Sequence, residues 1–564
     1  MVIPLATNGL LLNEDVKLHC DSKMNIKNSN DIDLFFSAAI FFRTVNDIDL
    51  CYSKTMKKMN LLETPRSFLR VQPGKQLSKS VYLVYPDFDS WHGLPYHAGI
   101  ASLGATLQAH GYTVKVKYVC DRKEYPIIMQ EVLDLQPAVV GFTTVETQYC
   151  YVQEMAAMVK EKHPCITVVG GSHLTLYPEA ILEEHSESLD CGMRGECEGT
   201  FLDLCEKVRK GEEFRNIENV CFVHPKTGEL VKNPLRPLEQ SLEKLPFPAT
   251  GLFEYQKIID ENQVAVFHFN RGCPYPCTYC SAQKLAKEYG TVKEGLRQMP
   301  VRKAIDSIKL TIEKYDIPSD TLLLFTDDLF TMYKDWLYEF LDVYEAEIAR
   351  PFWSTARSNT ASDEQFDRLK SAGCRTVMMA IESGNDFIRN KVMKRNISRK
   401  VMFNSFELAY KYELQTCSPC VIGVPFETPE MIEDSINTVA QLNVTNKGIN
   451  VFFPYRGTPL RTVCEENNFL PDFTEVSVIE RKESILNLPT IRKGEIQYYH
   501  DNWERLLLQK MGARSRFGSL CKDTYRTLTD NPLGKKAKYI VDHNRYSRKF
   551  KEGCKKVLGI TNLT

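Results

Sequence analysis

From Ser80 onward the chain alternates short apolar runs with longer stretches of helical spacing. Val81-Tyr-Leu-Val-Tyr85 reads as a strand, and Ala98 to His110 has helical periodicity closed by Gly111, a residue that readily ends helices. Val114-Lys-Val-Lys-Tyr-Val119 alternates as a strand does, Ala138-Val-Val-Gly-Phe142 is a short buried run, and Thr147 to Lys162 returns to helical spacing. Ile166-Thr-Val-Val169 adds a strand that runs into Gly170-Gly171. Strands alternating with helices predict an α/β fold with a parallel, doubly wound, Rossmann-like sheet over 79–235. Sheets of this kind bind ligands outside the carboxyl ends of their strands.

Beyond that sheet, Leu245-Pro-Phe-Pro248 predicts an extended connector within 236–262, because proline disfavours helix in the residue before it. A second alternation of strands and helices occupies 263–465, and 466–564 reads as mostly helical. Residues 1–78 form an N-terminal extension with no assigned role. Its apolar run Leu34 to Phe42 is too short to span a bilayer. From Arg505 onward basic residues outnumber acidic ones, which reads as a solvated face and only weakly as a hint of an acidic or phosphorylated substrate.

Composition narrows the picture. At 564 residues the chain calls for several domains, and its 43% hydrophobic share is that of a globular protein. A formal net charge of −1 gives no global electrostatic case for nucleic acid. No run of eighteen apolar residues predicts a membrane span, and the N-terminus lacks a secretory pattern. The 18 cysteines are scattered through a long chain, which argues against a disulfide framework and for a reducing, cytoplasmic setting.

Three of those cysteines carry the chemistry. Arg271-Gly-Cys273-Pro-Tyr-Pro-Cys277-Thr-Tyr-Cys280 follows the strand candidate Val264 to Asn270 and spaces its thiols as CxxxCxxC. Three thiolates are one short of the four that usually close an iron–sulfur cluster, so a 4Fe-4S cluster held here keeps one iron open. Structural zinc is the alternative, but it requires four ligands, and no partner pair lies near Cys280. The spacing, with aromatic Tyr279 before the last thiol, resembles the radical SAM superfamily. That resemblance implies a 4Fe-4S cluster on Cys273, Cys277 and Cys280, with S-adenosyl-L-methionine (SAM) on the open iron. Further stretches fit in order: Leu322 to Phe330 with Asp327 and Asp328, Phe352 to Asn359 with Arg357, and Thr376 to Gly384 with Glu382, Ser383 and Gly384. Val421 to Thr428 and Asn450 to Pro459 complete the series. They imply a partial (β/α) barrel in which Tyr279, Asp327, Arg357, Glu382, Ser383 and Gly384 serve SAM. Asp327 can equally be a helix N-cap. Cys417 and Cys420 form a leftover CxxC read as buried thiols.

Ahead of the barrel, Thr143-Thr144-Val145, Gly170-Gly171-Ser-His173-Leu-Thr175 and Gly195-Glu196-Cys-Glu198-Gly-Thr200 fall in the loops after the strands. Paired glycines admit close backbone approach, and hydroxyls can serve amides or phosphate. By residues alone the pattern also suits an ordinary tight turn. With CxxxCxxC behind it, the order resembles the cobalamin-binding domain of cobalamin-dependent radical SAM enzymes. The implied contacts are Thr143, Thr144, Gly170, Gly171, His173, Thr175, Glu196 and Glu198. The DxHxxG signature that supplies a histidine to cobalt is missing, since Asp89-Ser-Trp-His92 has the wrong spacing. The resemblance therefore implies cobalamin held without such a histidine.

The family's chemistry implies a 5′-deoxyadenosyl radical from SAM and transfer of the methyl group of methylcobalamin to an unactivated carbon of a small-molecule substrate. A reductant such as flavodoxin or ferredoxin is the implied partner. Oxidative cyclisation, dehydration or another carbon-skeleton change on the same architecture is the alternative. Methylthiotransfer needs a second three-cysteine cluster, for which Cys120, Cys150, Cys165, Cys191 and Cys197 lack the spacing. A cobalamin sensor with a degenerate barrel is disfavoured by the intact thiols and Glu382-Ser-Gly.

Overall fold

The structure is a computed structural model that describes residues 77–89, 94–183, 185–290, 292–471 and 480–511. The N-terminal extension with Leu34 to Phe42, the residue His92 and the basic stretch after Met511 lie outside the described residues. In the first domain β1 (Ser80–Pro86), β2 (Thr113–Val119), β3 (Val139–Thr143), β4 (Ile166–Gly170) and β5 (Cys191–Met193) form a parallel sheet in the order β2-β1-β3-β4-β5. β6 (Val220–Val223) and β7 (Leu230–Lys232) extend it antiparallel.

Both faces of this sheet are covered, which is why its strands read as apolar runs. Val81, Leu83 and Tyr85 point to the side holding helices Ala98–Ala109 and Glu198–Lys210, through Ile100, Leu107, Phe201 and Leu204. Tyr82 and Val84 point the other way, onto helices Tyr125–Leu135 and Tyr149–Lys162 through Ile128, Val132, Val152 and Met155. The strand order reverses between β1 and β3, where ligand crevices form in doubly wound sheets.

The connector is extended only in part. After Pro248 the chain makes a short turn at Thr250–Leu252 and then the helix Tyr255–Asn262, whose Tyr255, Ile258 and Ile259 are buried in the second core. Their spacing of three and four residues puts all three on one helix face, and that burial outweighs the extended bias set by the prolines.

In the second domain β8 (Val264–Phe267), β9 (Leu322–Phe325), β10 (Phe352–Thr355), β11 (Cys374–Met378) and β12 (Gln415–Cys417) run parallel, each paired with the next. β13 (Cys420–Ile422) pairs in parallel with β14 (Ile449–Val451). β12 and β13 are halves of one strand interrupted at Ser418-Pro419, where proline offers no N–H to the ladder. Bridges Glu382–Cys420 and Cys417–Asn446 carry the sheet across that break. The result is the partial (β/α) barrel expected from the sequence. Cys420 is fully buried on this strand and Cys417 half-buried.

Phe269, Phe325, Phe330, Trp336, Phe340 and Phe352 pack beneath the carboxyl ends of β8 to β10, with Phe325 lying 5.4 Å from Phe269 and 5.0 Å from Phe330 between ring centroids. This aromatic floor fixes the level from which the CxxxCxxC loop departs. Beyond Glu466 the described helix is Lys493–Lys510, packed on Pro429–Gln441. Among the described residues no helix is long and apolar enough to cross a membrane, and all fourteen cysteines are free thiols.

Gly171 has φ 101°, and a Cβ there would lie 2.5 Å from the Thr144 carbonyl oxygen. A Cβ on Gly170 would meet nothing closer than 3.8 Å. Gly171→Ala is therefore expected to cost about 2 kcal/mol, a range typical of forced left-handed strain. Thermal unfolding checks this: the midpoint should fall clearly for Gly171→Ala and stay near the parent for Gly170→Ala.

Candidate active site

The CxxxCxxC loop leaves β8 under several constraints. Asp327, at the end of β9, accepts the backbone N–H groups of Phe269 and Asn270 on Oδ1, and its Oδ2 has no partner. It is 1% exposed, and burial raises its pKa. Expected to face SAM or to cap a helix, Asp327 instead ties the base of the loop to the barrel. Its exposed neighbour Asp328 is the carboxylate that acts electrostatically on Cys273 and Cys280. Further along, Thr278 donates its N–H to the Met393 carbonyl at 3.1 Å and its hydroxyl to the Val392 carbonyl at 2.7 Å.

The thiols are half-buried or buried, and burial pushes Cys280 up to about 12 and raises Cys273. Thiols in such surroundings ionise when positive charge is supplied, which an iron–sulfur cluster does. One fixed cation is already present. Arg357, 6% exposed at the end of β10, stacks on Tyr275 at 3.8 Å. It places Nη1 3.9 Å from Cys277 Sγ and donates Nη2 to the Arg395 carbonyl. Each iron of a cubane takes its own thiolate, so the trio need not converge; among the described residues no three His, Cys, Asp or Glu are arranged around one metal ion. Soft donors, an adjacent guanidinium and half-buried surroundings fit a 4Fe-4S cluster on Cys273, Cys277 and Cys280.

Beside it, Glu382 accepts the Tyr279 hydroxyl at 2.8 Å and Arg395 Nη1 at 3.1 Å on one oxygen. Arg395 also donates to Tyr279 at 2.8 Å and to the Ala380 carbonyl. Glu382 sits at φ 63°, a conformation disfavoured for a side chain this size and common at ligand sites. Ser383 and Gly384 do not face the loop. Ser383 is fully buried against Ser435, and a Cβ on Gly384 would lie 2.6 Å from Ser435 Cα. Their role is to let the turn press on helix Pro429–Gln441 so that Glu382 points inward. Arg389, fully buried, clamps the turn from behind by donating to the Ser383 and Gly384 carbonyls at 2.8 and 3.0 Å. Neither Arg389 nor Arg395 was singled out from sequence; both lie in a basic run after Gly384 that carries no spacing signature.

In the first domain the three loops knit together at the carboxyl ends of β3, β4 and β5. Thr144 donates to Val145, and Thr175 donates to the Gly171 carbonyl at 2.9 Å while accepting the Gly195 N–H at 2.9 Å. His173 is 4% exposed between the rings of Tyr149 and Tyr177, and burial holds it neutral, down to about 3. Thr144, His173 and Thr175 are thus buried framework, whereas Thr143 and Gly170 are half-exposed and Gly171 is exposed at the rim. An apolar slot of about 30 Å³ lies inside the sheet, lined by Leu83, Ile100, Gly141, Thr143, Met193 and Phe201. The hydroxyl and main-chain groups of the rim can exchange hydrogen bonds with amides such as those a corrin carries.

Glu196 and Glu198 depart most from expectation. Glu196 accepts both Arg271 and Arg297, and Glu198 accepts Arg271 Nη2 at 2.6 Å and Ser102 at 2.7 Å. Arg271 and Arg297 pair through their backbones at 2.9 and 3.0 Å. The two carboxylates, expected to contact cobalamin, are consumed in docking the first domain onto the strand that leads into Cys273. A second bridge joins Glu146 and Glu183 to Arg456, with Arg456 also 4.7 Å from the Tyr177 ring. Gly457, next to it, approaches so closely that a Cβ would lie 2.6 Å from the Leu176 carbonyl oxygen. Arg271, Arg456, Glu146 and Glu196 all lie just after strand carboxyl ends, so the ligand-bearing edges of the two domains face each other.

Comparison with known proteins agrees. The Radical SAM superfamily profile matches residues 267–439, and the B12 binding domain profile matches 90–205. An "uncharacterized methyltransferase PH0819" of Pyrococcus horikoshii is 26% identical over 66% of this chain and 79% of its own length. The anaerobic magnesium-protoporphyrin IX monomethyl ester cyclase of Rubrivivax gelatinosus is 24% identical over 73% of this chain and 74% of its own. Among solved structures, the cobalamin-dependent S-adenosylmethionine radical enzyme OxsB, bound to aqua-cobalamin and S-adenosylmethionine, superposes with TM-score 0.59 at 15% identity. That match covers 86% of this chain and 75% of OxsB. At that identity the likeness concerns the fold.

Arg297 is 3% exposed at its side chain. Arg297→Met strands part of Glu196's charge at the domain junction and is expected to cost roughly 3 kcal/mol, as for removing one partner of a buried ion pair. Denaturant unfolding of the parent, Arg297→Met and Arg297→Lys checks this, with the lysine variant recovering part of the loss.

Proposed function

Because the chain belongs to the radical SAM superfamily and carries a B12 binding domain ahead of its barrel, we propose that it is a C-methyltransferase. Its target is an unactivated carbon of a small biosynthetic intermediate. The observation that carries this reading is the face-to-face placement of the two ligand edges, through Arg456–Glu146, Gly457–Leu176 and Arg271–Glu196. A methyl donor held on one edge and a radical source held on the other would share one substrate. When bound, the cluster with SAM supplies a hydrogen-abstracting radical, and methylcobalamin supplies the methyl group.

The chain's own residues divide the remaining work. Cys273, Cys277 and Cys280 hold the cluster, and Arg357 neutralises charge beside Cys277. Glu382 presents a carboxylate suited to an ammonium group, with Tyr279 and Arg395 fixing its orientation by two hydrogen bonds to one oxygen. Asp327 and Arg389 keep the two loops in position. Thr143 and Gly170 offer rim contacts for the corrin. A one-electron donor such as a flavodoxin or ferredoxin, in a reducing cytoplasm, completes the reading. Oxidative cyclisation is the second reading, favoured by the cyclase relative, which spans more of this chain than the methyltransferase does.

Product analysis separates them. Protein reconstituted anaerobically with iron, sulfide and cobalamin, then given reductant, methyl-deuterated SAM and a metabolite extract, should form S-adenosylhomocysteine alongside 5′-deoxyadenosine. A metabolite carrying the labelled methyl group should appear with them. Formation of 5′-deoxyadenosine with an unlabelled, dehydrogenated product and no S-adenosylhomocysteine would select the cyclase reading instead.

A further inference from the structure

The geometry points to the segment Asp386–Lys400 as the surface on which an acidic one-electron carrier docks to feed the cluster. This rests on the reading of Cys273, Cys277 and Cys280 as cluster ligands. Two hydrogen-bonded routes join this segment to Cys277. In one, the Met393 carbonyl accepts the N–H of Thr278, the residue after Cys277, at 3.1 Å. In the other, the Arg395 carbonyl accepts Arg357 Nη2, while Nη1 of the same guanidinium stands 3.9 Å from Cys277 Sγ. Lys394, between the two carbonyls, is exposed. A carrier resting there would be separated from the thiol by a few bonded atoms.

Charge and access agree with that placement. The segment holds six cations, Arg389, Lys391, Lys394, Arg395, Arg399 and Lys400, against the single anion Asp386. Arg389 pairs with Asp386, Arg395 with Glu382 and Arg399 with Asp434. Lys391, Lys394 and Lys400 are exposed and have no charged partner among the described residues, and Phe387 beside them is 47% exposed. Unpaired lysines and an exposed ring on one short segment suit a negatively charged protein, whose arrival such charges accelerate roughly 10- to 1000-fold. Two other approaches are taken: Arg271 and Arg297 are covered by Glu196 and Glu198, and the helix Ser281–Glu288 after Cys280 packs on Ser172–Leu176 of the first domain. Each encounter passes one electron from a reduced carrier, a flavin hydroquinone becoming a semiquinone, to the oxidised cluster.

The test uses the full-length reconstituted protein and the triple variant K391E/K394E/K400E. Cluster bleaching is followed by stopped-flow absorption after mixing with photoreduced flavodoxin or with dithionite. The flavodoxin rate should fall at least tenfold in the variant and lose its decline with salt, while the dithionite rate stays at the parental value. An unchanged flavodoxin rate would overturn the assignment, as would an equal fall with both reductants, which would mean a disturbed cluster. Protein that assembles no cluster would instead refute the reading of the three thiols, and this proposal with it.

Discussion

Arg271 stands two residues ahead of the first thiol of the CxxxCxxC loop and gives its guanidinium to two carboxylates of the other domain. Burial alone would depress its ionisation, yet Glu198 and Glu196 hold it firmly charged. Partly buried, each member of this cluster depends on the others, because a lone charge left there would be poorly solvated. The strand entering the CxxxCxxC loop is therefore positioned from both sides, by Asp327 of the barrel and by the Gly195 to Glu198 turn of the first domain. Tyr289 reinforces the junction by accepting the Glu196 N–H at 2.7 Å on its hydroxyl, in room that only a glycine leaves: at Gly195, with φ 73°, a Cβ would collide with that hydroxyl.

The same constraint explains the division of labour at the site. Domain docking uses the turn after β5 together with Glu146, Glu183 and Leu176 from the segments after β3 and β4, leaving Thr143 and Gly170 half-exposed at the rim. On the barrel side, buried arginines act as frame. Arg389 fixes the backbone turn that carries Glu382, and Arg395 fixes the carboxylate itself. Arg357 belongs to both systems, since it leans on Cys277 with one amine and holds Arg395's carbonyl with the other. The CxxxCxxC loop, the Glu382 carboxylate and the domain junction are thus mechanically continuous.

Much of this was legible beforehand where the signal is local. Apolar runs such as Val81 to Tyr85 and Ile166 to Val169 mark strands by themselves, and CxxxCxxC is a spacing that few chemistries need. Glu196 and Glu198 misled because a Gly-Glu-x-Glu turn after a strand looks the same whether its carboxylates meet a ligand or an arginine 75 residues away. Asp327 and Asp328 are adjacent and chemically alike, and only the turn after β9 buries one and leaves the other exposed beside the thiols. The helix Tyr255–Asn262 was hidden by nearby prolines, although its apolar residues are spaced for one face. Non-local pairing leaves no periodicity to read.

The proposed chemistry requires a cluster that three thiolates hold and that leaves one iron for SAM. Electron paramagnetic resonance of the anaerobically reconstituted, reduced protein tests this most directly. The account predicts a 4Fe-4S signal whose g-values shift on adding SAM, and which vanishes when Cys273, Cys277 and Cys280 are replaced by alanine. A signal indifferent to SAM, or one that survives loss of the three thiols, would contradict it.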